Sequence, residues 1–272
     1  TREELNIKIA EIEARSILSK TQIPVANFVI NPYVGCTHAC LYCYARFMKR
    51  FTGHREEWGE FLDIKVNADT LVPKRGSCHR KKVFLSSVTD PYLPQEKNYK
   101  LSRRILENLI HLEPSLNILT KSALVLRDLD LIKKFPEKEV GFSFSTLDEK
   151  LRKKRERRAH PIEKRINALK EVHDNGITNY LFISPLMPFL TDWKSIIKKT
   201  RNFVDYYMFE NLNVVGSVWG PVKRWLELEH PSMVQKYHDI FFGDLPYWEE
   251  VEEEIMNFCQ KEGLDCRIYF HH

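Results

Sequence analysis

The segment Cys36-Thr-His-Ala-Cys40-Leu-Tyr-Cys43 contains three cysteines in a C-x3-C-x2-C arrangement. Thiolates this close together can hold one metal centre only if the backbone loops around it, and residues 31–35 supply a proline and a glycine for such a turn. A structural zinc site needs four protein ligands, and Cys78-His79 would have to supply a distant fourth. An iron–sulfur cluster is bound by clustered cysteines, and three of them leave one iron of a four-iron cluster open for chemistry. The segment therefore favours a [4Fe–4S] cluster, with zinc as the alternative.

With the aromatic Tyr42 before the last cysteine, the arrangement resembles the signature of the radical S-adenosylmethionine (radical SAM) enzymes. More narrowly, a series of segments within about residues 14 to 190 resembles the spore photoproduct lyase-like branch of that superfamily in order and spacing. The segments are Ala14-Arg-Ser-Ile-Leu-Ser-Lys20, Asn31-Pro-Tyr-Val-Gly-Cys36, Cys43-Tyr-Ala-Arg46, Thr89-Asp-Pro-Tyr92 and Thr120-Lys-Ser-Ala-Leu-Val-Leu-Arg-Asp128.

The resemblance implies that Cys36, Cys40 and Cys43 bind a [4Fe–4S] cluster whose open iron takes the amino and carboxylate groups of S-adenosylmethionine (SAM). An electron from a donor such as a ferredoxin or flavodoxin then cleaves the sulfonium, which yields methionine and a 5′-deoxyadenosyl radical. This radical abstracts a hydrogen atom from the substrate. The cofactors carry the difficult chemistry, and the protein supplies orientation and a dry pocket.

Further residues are candidates for binding SAM on the basis of the same resemblance. They are Lys121 and Ser143 for the carboxylate, Thr89 and Asp90 for the amino group or the sulfonium, and Tyr42 and Ser184 for the adenine. Without the resemblance, Lys121 would be interpreted as a solvated lysine and Thr89-Asp90-Pro91 as a turn. The segment around Ser184 would be interpreted as a core strand.

Strand and helix patterns alternate after the cysteine segment. They predict strands at 83–87, 116–119, 140–144, 180–183 and 214–218, and helices at 101–112, 124–135, 151–158, 162–173 and from the N-cap Asp192 to about 207. Such alternation predicts parallel strands and an α/β fold, a partial (β/α)6 TIM-like barrel, which is also the fold that the resemblance implies. Active sites of such barrels lie at the carboxyl ends of the strands, so Thr89, Lys121, Ser143 and Ser184 are expected on one face.

The alternation of predicted strands and helices stops at both ends of this core. We expect an N-terminal extension at 1–30, the radical SAM core at 31–218, and a C-terminal cap or substrate element at 219–272. The last part is predicted to contain an acidic helix at 247–262 and a closing strand at 266–270. Cys259 and Cys266 are too few for a second cluster and are expected to be buried thiols.

Charge is distributed unevenly along the chain. Residues 149–165 contain nine basic and three acidic residues, whereas residues 244–265 contain eight acidic residues and one lysine. The basic stretch is either a solvated helix face or a surface for a polyanion. In the second case Lys153, Lys154, Arg155 and Arg157 are the candidate phosphate contacts of a DNA or RNA partner.

The composition, 43% hydrophobic and 29% charged, excludes a globally disordered chain. The sequence shows no membrane span and no signal peptide, so it predicts a cytoplasmic protein. We treat the terminal His271-His272 as a tag remnant without functional weight.

The leading functional hypothesis is a radical SAM enzyme that modifies or repairs a nucleic acid base. In the lyase-like branch, photoproduct repair relies on a cysteine near the Thr89 strand end, but this chain has Ser86-Ser87-Val88 there, which argues against thymine-dimer repair itself. One alternative is the same chemistry on a peptide or small metabolite, with the acidic tail as a recognition element. The other is a zinc- or cluster-stabilised nucleic-acid-binding module without catalysis.

Overall fold

A mostly parallel sheet organises the chain. A computed structural model describes residues 7–76 and 78–271. Within these residues the main sheet has eight strands and a smaller sheet has three. The strands are β1 (Lys8–Ile12), β2 (Leu18–Lys20), β3 (Phe28–Ile30), β4 (Tyr33–Val34), β5 (Phe61–Lys65), β6 (Lys82–Leu85), β7 (Ser115–Thr120), β8 (Glu137–Phe144), β9 (Thr178–Leu186), β10 (Tyr206–Asn211) and β11 (Cys266–Ile268).

Helices connect the strands of the main sheet. They are α1 (Glu96–Tyr99), α2 (Leu101–Leu109), α3 (Leu129–Ile132), α4 (Glu149–Arg155), α5 (Ile162–Asp174), α6 (Trp193–Thr200), α7 (Trp219–Glu229), α8 (Val234–Phe242) and α9 (Tyr247–Glu262). Short 3-10 helices lie at Tyr44–Phe51, Ile110–Leu112, Ala123–Asp128 and Pro231–Met233.

The order of the main sheet is β11-β10-β9-β8-β7-β6-β3-β2, and the small sheet is β1-β5-β4. In the main sheet every neighbouring pair is parallel except β2 and β3. The central strands are buried over most of their length, as expected for parallel strands with helices packed on one face. Because β2 and β11 form the two edges in the described part of the chain, the sheet is open. This confirms the predicted α/β partial barrel.

The pairing of β8 with β9 depends on one glycine. Gly141 lies opposite Tyr180, and a Cβ atom at Gly141 would lie 2.2 Å from the Tyr180 ring. The tyrosine ring can therefore cross β8 only because residue 141 has no side chain, and it lines the inner face of the sheet.

Two predicted elements near residue 200 were wrong. Asp192 caps α6 through the backbone N–H of Ser195 as predicted, but the helix ends at Thr200, and the next strand is β10 rather than residues 214–218. The aromatic segment that begins at Tyr206 is compatible with a helix or a strand by period alone. The segment forms a strand because it pairs with β9 on one side and with β11 on the other.

The C-terminal segment contributes to the main sheet, because β11 pairs with β10. The predicted helix at 247–262 and a strand from 266 are confirmed. The expectation of buried thiols was wrong for Cys259 and Cys266, which form a disulfide between α9 and β11. A left-handed turn at Gly263 brings the two cysteines together, and that proximity is not visible in the spacing. The domain boundaries at 30 and 218 stay predictions.

No helix in the described part of the chain has the length and apolar character needed to cross a membrane.

Candidate active site

The cysteine segment forms a loop that follows β4. Gly35 enters the loop with a φ of +89°, and a Cβ atom there would lie 2.6 Å from the Phe61 carbonyl oxygen, so the turn requires glycine. Cys36 and Cys40 are buried and Cys43 is half-buried. All three line one cavity of about 630 Å³ at the carboxyl edge of the sheet.

The same cavity collects all the residues predicted to bind SAM. Its lining includes Tyr42, Thr89, Asp90, Lys121, Ser143 and Ser184. They come together because the parallel strands β6, β7, β8 and β9 end at one edge of the sheet.

The thiols suit a cluster better than a single ion. Burial raises the pKa of all three cysteines above its usual range, and the neighbouring cysteines add to this effect at Cys36 and Cys40. Iron ions would supply the positive charge that buried thiolates need. Within residues 7–76 and 78–271, no three His, Cys, Asp or Glu side chains converge as they would on one metal ion. A four-iron cluster instead spreads its cysteine ligands over different irons.

The zinc alternative lacks its proposed fourth ligand. Cys78 is buried in the core and is not part of the cavity lining, and His79 Nδ1 contacts the Leu112 carbonyl oxygen at 3.0 Å. His38, inside the cysteine segment, is held by Asp90 with 3.1 Å between Nε2 and Oδ2. His79 is not part of the cavity lining, and both ring nitrogens of His38 have partners, since its Nδ1 lies 3.4 Å from the Arg158 carbonyl oxygen. Neither histidine therefore completes a tetrahedral site with the three cysteines.

Asp90 ties the loops around the cavity together. Its carboxylate accepts hydrogen bonds from Thr120 Oγ1 at 2.7 Å and from the Lys121 backbone N–H at 2.8 Å, besides its contact with His38. Burial alone would raise the pKa of Asp90, but His38 and these hydrogen bonds outweigh it and lower the pKa to about 2. Since the protein already engages both oxygens, we infer a positioning role for Asp90. Thr89 is also engaged, because its Oγ1 donates to the Gly35 carbonyl oxygen at 2.6 Å.

A chain of hydrogen bonds connects Lys121 to the ends of the neighbouring strands β8, β9 and β10. Lys121 Nζ donates to Ser143 Oγ, and Ser143 Oγ donates to the Ser184 carbonyl oxygen at 3.2 Å. Ser184 Oγ donates to Glu210 Oε2 at 2.6 Å. Lys121 thus meets a neutral hydroxyl in the cavity, and its ammonium group can pair with a carboxylate of a bound molecule.

A buried ion pair beneath the loop was missed by sequence analysis. The Tyr42 hydroxyl donates to Glu156, whose Oε2 lies 2.7 Å from Arg165 Nη2. The Arg165 guanidinium also donates to the Ser143 carbonyl oxygen at 2.8 Å. Both residues lie in the charged stretch 149–165, and a count of charges does not show that the two pair with each other. The ring of Tyr42 lines the cavity, and its role at the adenine stays a prediction.

The structure contradicts one of the four predicted phosphate contacts in the basic stretch. Arg155 is fully buried with its guanidinium over the Trp225 ring, so its assignment as a phosphate contact was wrong. Lys154 is paired with Glu229, and Arg157 with Glu60 at 2.8 Å. Lys153 is exposed.

The backbone of this stretch supports the cysteine loop. The Leu41 N–H donates to the Arg155 carbonyl oxygen at 2.7 Å, and the Arg158 N–H donates to the His38 carbonyl oxygen at 3.2 Å. Charge counting along the sequence could not separate this structural use from a phosphate-binding surface.

Glu210, at the end of β10, is a further cavity residue that sequence analysis missed. Its carboxylate is 28% exposed, and Oε1 lies 3.2 Å from His271 Nε2. His271, which we treated as a tag remnant, also lines the cavity; His272 lies outside the described residues. The predicted helix that extends to about residue 207 leaves no strand end near Glu210, so the sequence pattern does not place this residue at the cavity.

Comparison with known proteins identifies the family. The model of the radical SAM superfamily matches residues 30–199, and the chain belongs to this superfamily. An uncharacterised protein of Methanocaldococcus jannaschii is 45% identical over 259 residues, 95% of either chain. The radical SAM Nalpha-GlyT isomerase of Pseudomonas phage M6 is 26% identical over 216 residues, 77% of this chain and 42% of the phage protein.

Solved structures share the fold. Spore photoproduct lyase complexed with dinucleoside spore photoproduct superposes with a TM-score of 0.67 at 14% identity, covering 97% of this chain and 82% of the lyase. SuiB of Streptococcus suis bound to S-adenosylmethionine superposes with a TM-score of 0.59 at 15% identity, covering 90% of this chain and 50% of SuiB. The predicted resemblance to the lyase-like branch is confirmed at the level of fold.

Membership of the superfamily supports radical SAM chemistry rather than a non-catalytic binding module. It also implies the two cofactors, SAM and a [4Fe–4S] cluster. The cavity offers residues for both, with the three cysteines on one side and Lys121 with Ser143 beside them.

We expect Lys121→Met to weaken SAM binding by about 10- to 100-fold, because it removes one charge-assisted hydrogen bond worth about 1.5–3 kcal/mol. The measurement is equilibrium binding of SAM to reconstituted protein with matched iron content. Lys97→Met, at an exposed lysine of α1, is the control and should leave the affinity unchanged. Equal affinity of the Lys121 variant and the wild type would remove Lys121 from the SAM site.

Proposed function

We propose that this radical SAM enzyme abstracts a hydrogen atom from a nucleic acid base and so modifies that base. When bound, the cluster and SAM supply a 5′-deoxyadenosyl radical, with the electron coming from a donor such as a ferredoxin or flavodoxin. The residues of the chain then hold SAM through Lys121 and Ser143, exclude water, and orient the base.

The lining of the cavity away from the cysteines is the observation that supports a base as substrate. Aromatic rings form much of this wall, and polar groups lie at the end of β10. An extruded base is held by stacking on apolar or aromatic side chains and by hydrogen bonds along its edge. The rings are Tyr44, Phe84, Tyr180, Phe182, Tyr269 and Phe270, and the polar residues are Glu210, Asn211 and Asn213.

Glu210 is the residue we assign to the edge of the base. Glu210 Oε2 accepts a hydrogen bond from Ser184, and Oε1 lies 3.2 Å from His271 Nε2. A carboxylate has about four lone-pair sites, so acceptor capacity remains for a base. Tyr44 and Glu210 line the same cavity. An N–H group of a base that enters between them would donate to Glu210.

The chemistry that we favour is modification or rearrangement. Ser86 and Ser87 line the cavity where the lyase-like branch carries a cysteine, and among the described residues the cysteines of the lining are Cys36, Cys40 and Cys43 alone. No thiol other than the proposed cluster ligands would therefore return a hydrogen atom to the substrate. The name of the phage relative, an isomerase, and the dinucleoside complex of the lyase are consistent with this class.

The experiment that tests the proposal measures 5′-deoxyadenosine formed by anaerobically reconstituted, reduced protein with DNA, RNA, a peptide pool or no addition. We expect DNA or RNA to stimulate formation, and Glu210→Gln to lower the stimulated rate by roughly 5- to 150-fold, the range for losing one base contact. Glu227→Gln, a charge change on α7 outside the cavity lining, should keep the wild-type rate. Stimulation by the peptide pool, and not by either nucleic acid, would replace the proposed substrate class.

A further inference from the structure

An exposed group of rings and basic side chains continues from the mouth of the cavity. It lies on the 3-10 helix Tyr44–Phe51 that directly follows Cys43, and on the turn after it. Tyr44 lines the cavity and is 51% exposed, Phe47 is 38% exposed, and Phe51 is 68% exposed. We call this group the aromatic–basic rim; its residues are Tyr44, Phe47, Lys49, Arg50, Phe51 and Arg55.

The charged side chains of the rim are all basic. Residues 44–55 contain four basic residues and no acidic residue. One of the four, Arg46, is used internally, because its guanidinium donates to the carbonyl oxygens of Cys40 and Leu41 at 3.3 and 3.2 Å. The remaining cations lie beside the rings, so the rim joins apolar surface to positive charge.

Arg50 shows how closely the two features are combined. Its guanidinium carbon lies 4.7 Å from the centroid of the Phe51 ring and 5.5 Å from that of Phe47. Lys49 Nζ donates to the carbonyl oxygen of the exposed Arg55 at 3.2 Å, which holds these two basic residues near each other. Ring faces beside guanidinium groups are what an unpaired nucleotide requires: the base stacks and the phosphate is neutralised.

We propose that the aromatic–basic rim binds a single-stranded segment of nucleic acid next to the base that enters the cavity. Bases flanking the target stack on Phe51 and Phe47, while Arg50, Lys49 and Arg55 contact their phosphates. Tyr44 belongs to both the rim and the cavity lining, so the strand can pass directly from one to the other. The inference rests on the proposed function, and it moves the nucleic acid surface away from the basic stretch at 149–165.

One other surface, the basic stretch, and one other partner, an anionic membrane, fit the observations less well. The basic stretch has its side chains buried or ion-paired at Arg155, Lys154 and Arg157. An anionic membrane would favour cations on the face opposite the rings, whereas Arg50 lies over the rings themselves. The position beside the cavity favours a strand that also reaches the active site.

The test is fluorescence anisotropy of reconstituted protein with labelled single-stranded DNA, single-stranded RNA and duplex oligonucleotides over a range of salt concentrations. We expect Phe51→Ala to weaken binding to single strands by about ten-fold, through loss of one stacking platform. Arg50→Gln should reduce the slope of log affinity against log salt by about 0.7, the contribution of one phosphate contact. Phe51→Trp, which keeps a ring at this exposed position, should bind like the wild type.

Two matched variants serve as controls. Phe242→Ala removes a ring of comparable exposure, 53%, from α8, and Lys153→Gln removes the exposed cation of the basic stretch. Both should bind like the wild type. Wild-type binding by Phe51→Ala and Arg50→Gln, a larger loss in Lys153→Gln, or equal affinity for duplex and single strand would overturn the inference. So would Phe51-dependent binding to phosphatidylserine vesicles in the absence of oligonucleotide binding.

Binding and turnover separate this inference from the proposed function. If nucleic acid stimulates 5′-deoxyadenosine formation but the rim variants bind normally, the function stands and the rim assignment fails. If the rim variants lose binding but no nucleic acid stimulates formation, the rim is a binding surface and the proposed substrate fails.

Discussion

Cys40→Ala is expected to abolish the iron–sulfur cluster and to lower 5′-deoxyadenosine formation by more than about 100-fold. Losing a residue that only supports a metal ligand costs about 10- to 100-fold, and losing a ligand should cost more. Cys40 is buried at the centre of the cysteine loop, and its backbone forms a bridge with Glu156. Alanine keeps the backbone and removes only the sulfur. The measurements are iron and sulfide content, the visible absorption of the cluster, and product formation after anaerobic reconstitution.

Cys78→Ala is the matched control, because it removes a buried thiol from the core outside the cavity lining. It should retain iron, absorption and product formation, whereas Cys36→Ala and Cys43→Ala should behave like Cys40→Ala. Stoichiometric zinc with no product in the wild type would contradict the assignment of these residues to a cluster.

We expect Arg165→Met to lower the free energy of unfolding by about 3–5 kcal/mol. It leaves the Glu156 carboxylate buried without its cation and removes the hydrogen bond to the Ser143 carbonyl oxygen. Methionine retains an unbranched apolar side chain, so much of the packing against the Phe144 ring is kept. Chemical denaturation of wild type and variant, prepared identically, measures the difference.

An exposed ion pair provides the control for this change. Arg201 lies 2.8 Å from Glu262, and both side chains are partly exposed, so Arg201→Met should cost less than about 1 kcal/mol. The double variant Glu156→Gln/Arg165→Met should regain part of the loss, because no charge is then left unpaired. A loss in Arg165→Met no larger than in Arg201→Met would show that the buried pair does not stabilise the fold.

The pH dependence of the Arg165 effect follows from Glu156. Burial opposes ionisation of this carboxyl, but Arg165 and then Lys121 outweigh it and lower its pKa from 4.5 to about 2. A carboxyl whose pKa is lower in the folded state stabilises the fold above its unfolded pKa and loses that contribution as the pH falls. The difference in stability between wild type and Arg165→Met should therefore be largest above about pH 4.5 and shrink towards pH 2.

Much of the candidate site was predictable from local sequence because two rules act together. The spacing of three cysteines indicates a cluster, and alternating strands and helices bring residues that follow successive strands to one edge. Lys121, Ser143 and Ser184 are far apart in the chain, yet the hydrogen bonds between them follow from the parallel order of β7, β8 and β9.

The wrong predictions for the basic stretch and for β10 share a physical cause. In both cases the structure depends on contacts between segments that are distant in the chain. A run of basic residues has the same composition whether it faces solvent or supports a loop, and only the packing of Arg155 on Trp225 separates the two. Likewise, β10 is a strand because it pairs with β9 and β11, and this pairing carries Glu210 to the cavity.

The cysteine loop, the α/β alternation and the superfamily follow from the amino-acid sequence, because they depend on spacing and on local period. The disulfide of Cys259 with Cys266, the buried pair of Glu156 with Arg165 and the cavity position of Glu210 became visible only in the folded chain. Each of these depends on the burial and proximity of residues separated in the chain, which a local pattern does not encode. The exposed rings of Phe47 and Phe51 belong to the same group, since a sequence does not show which aromatic residues remain outside the core.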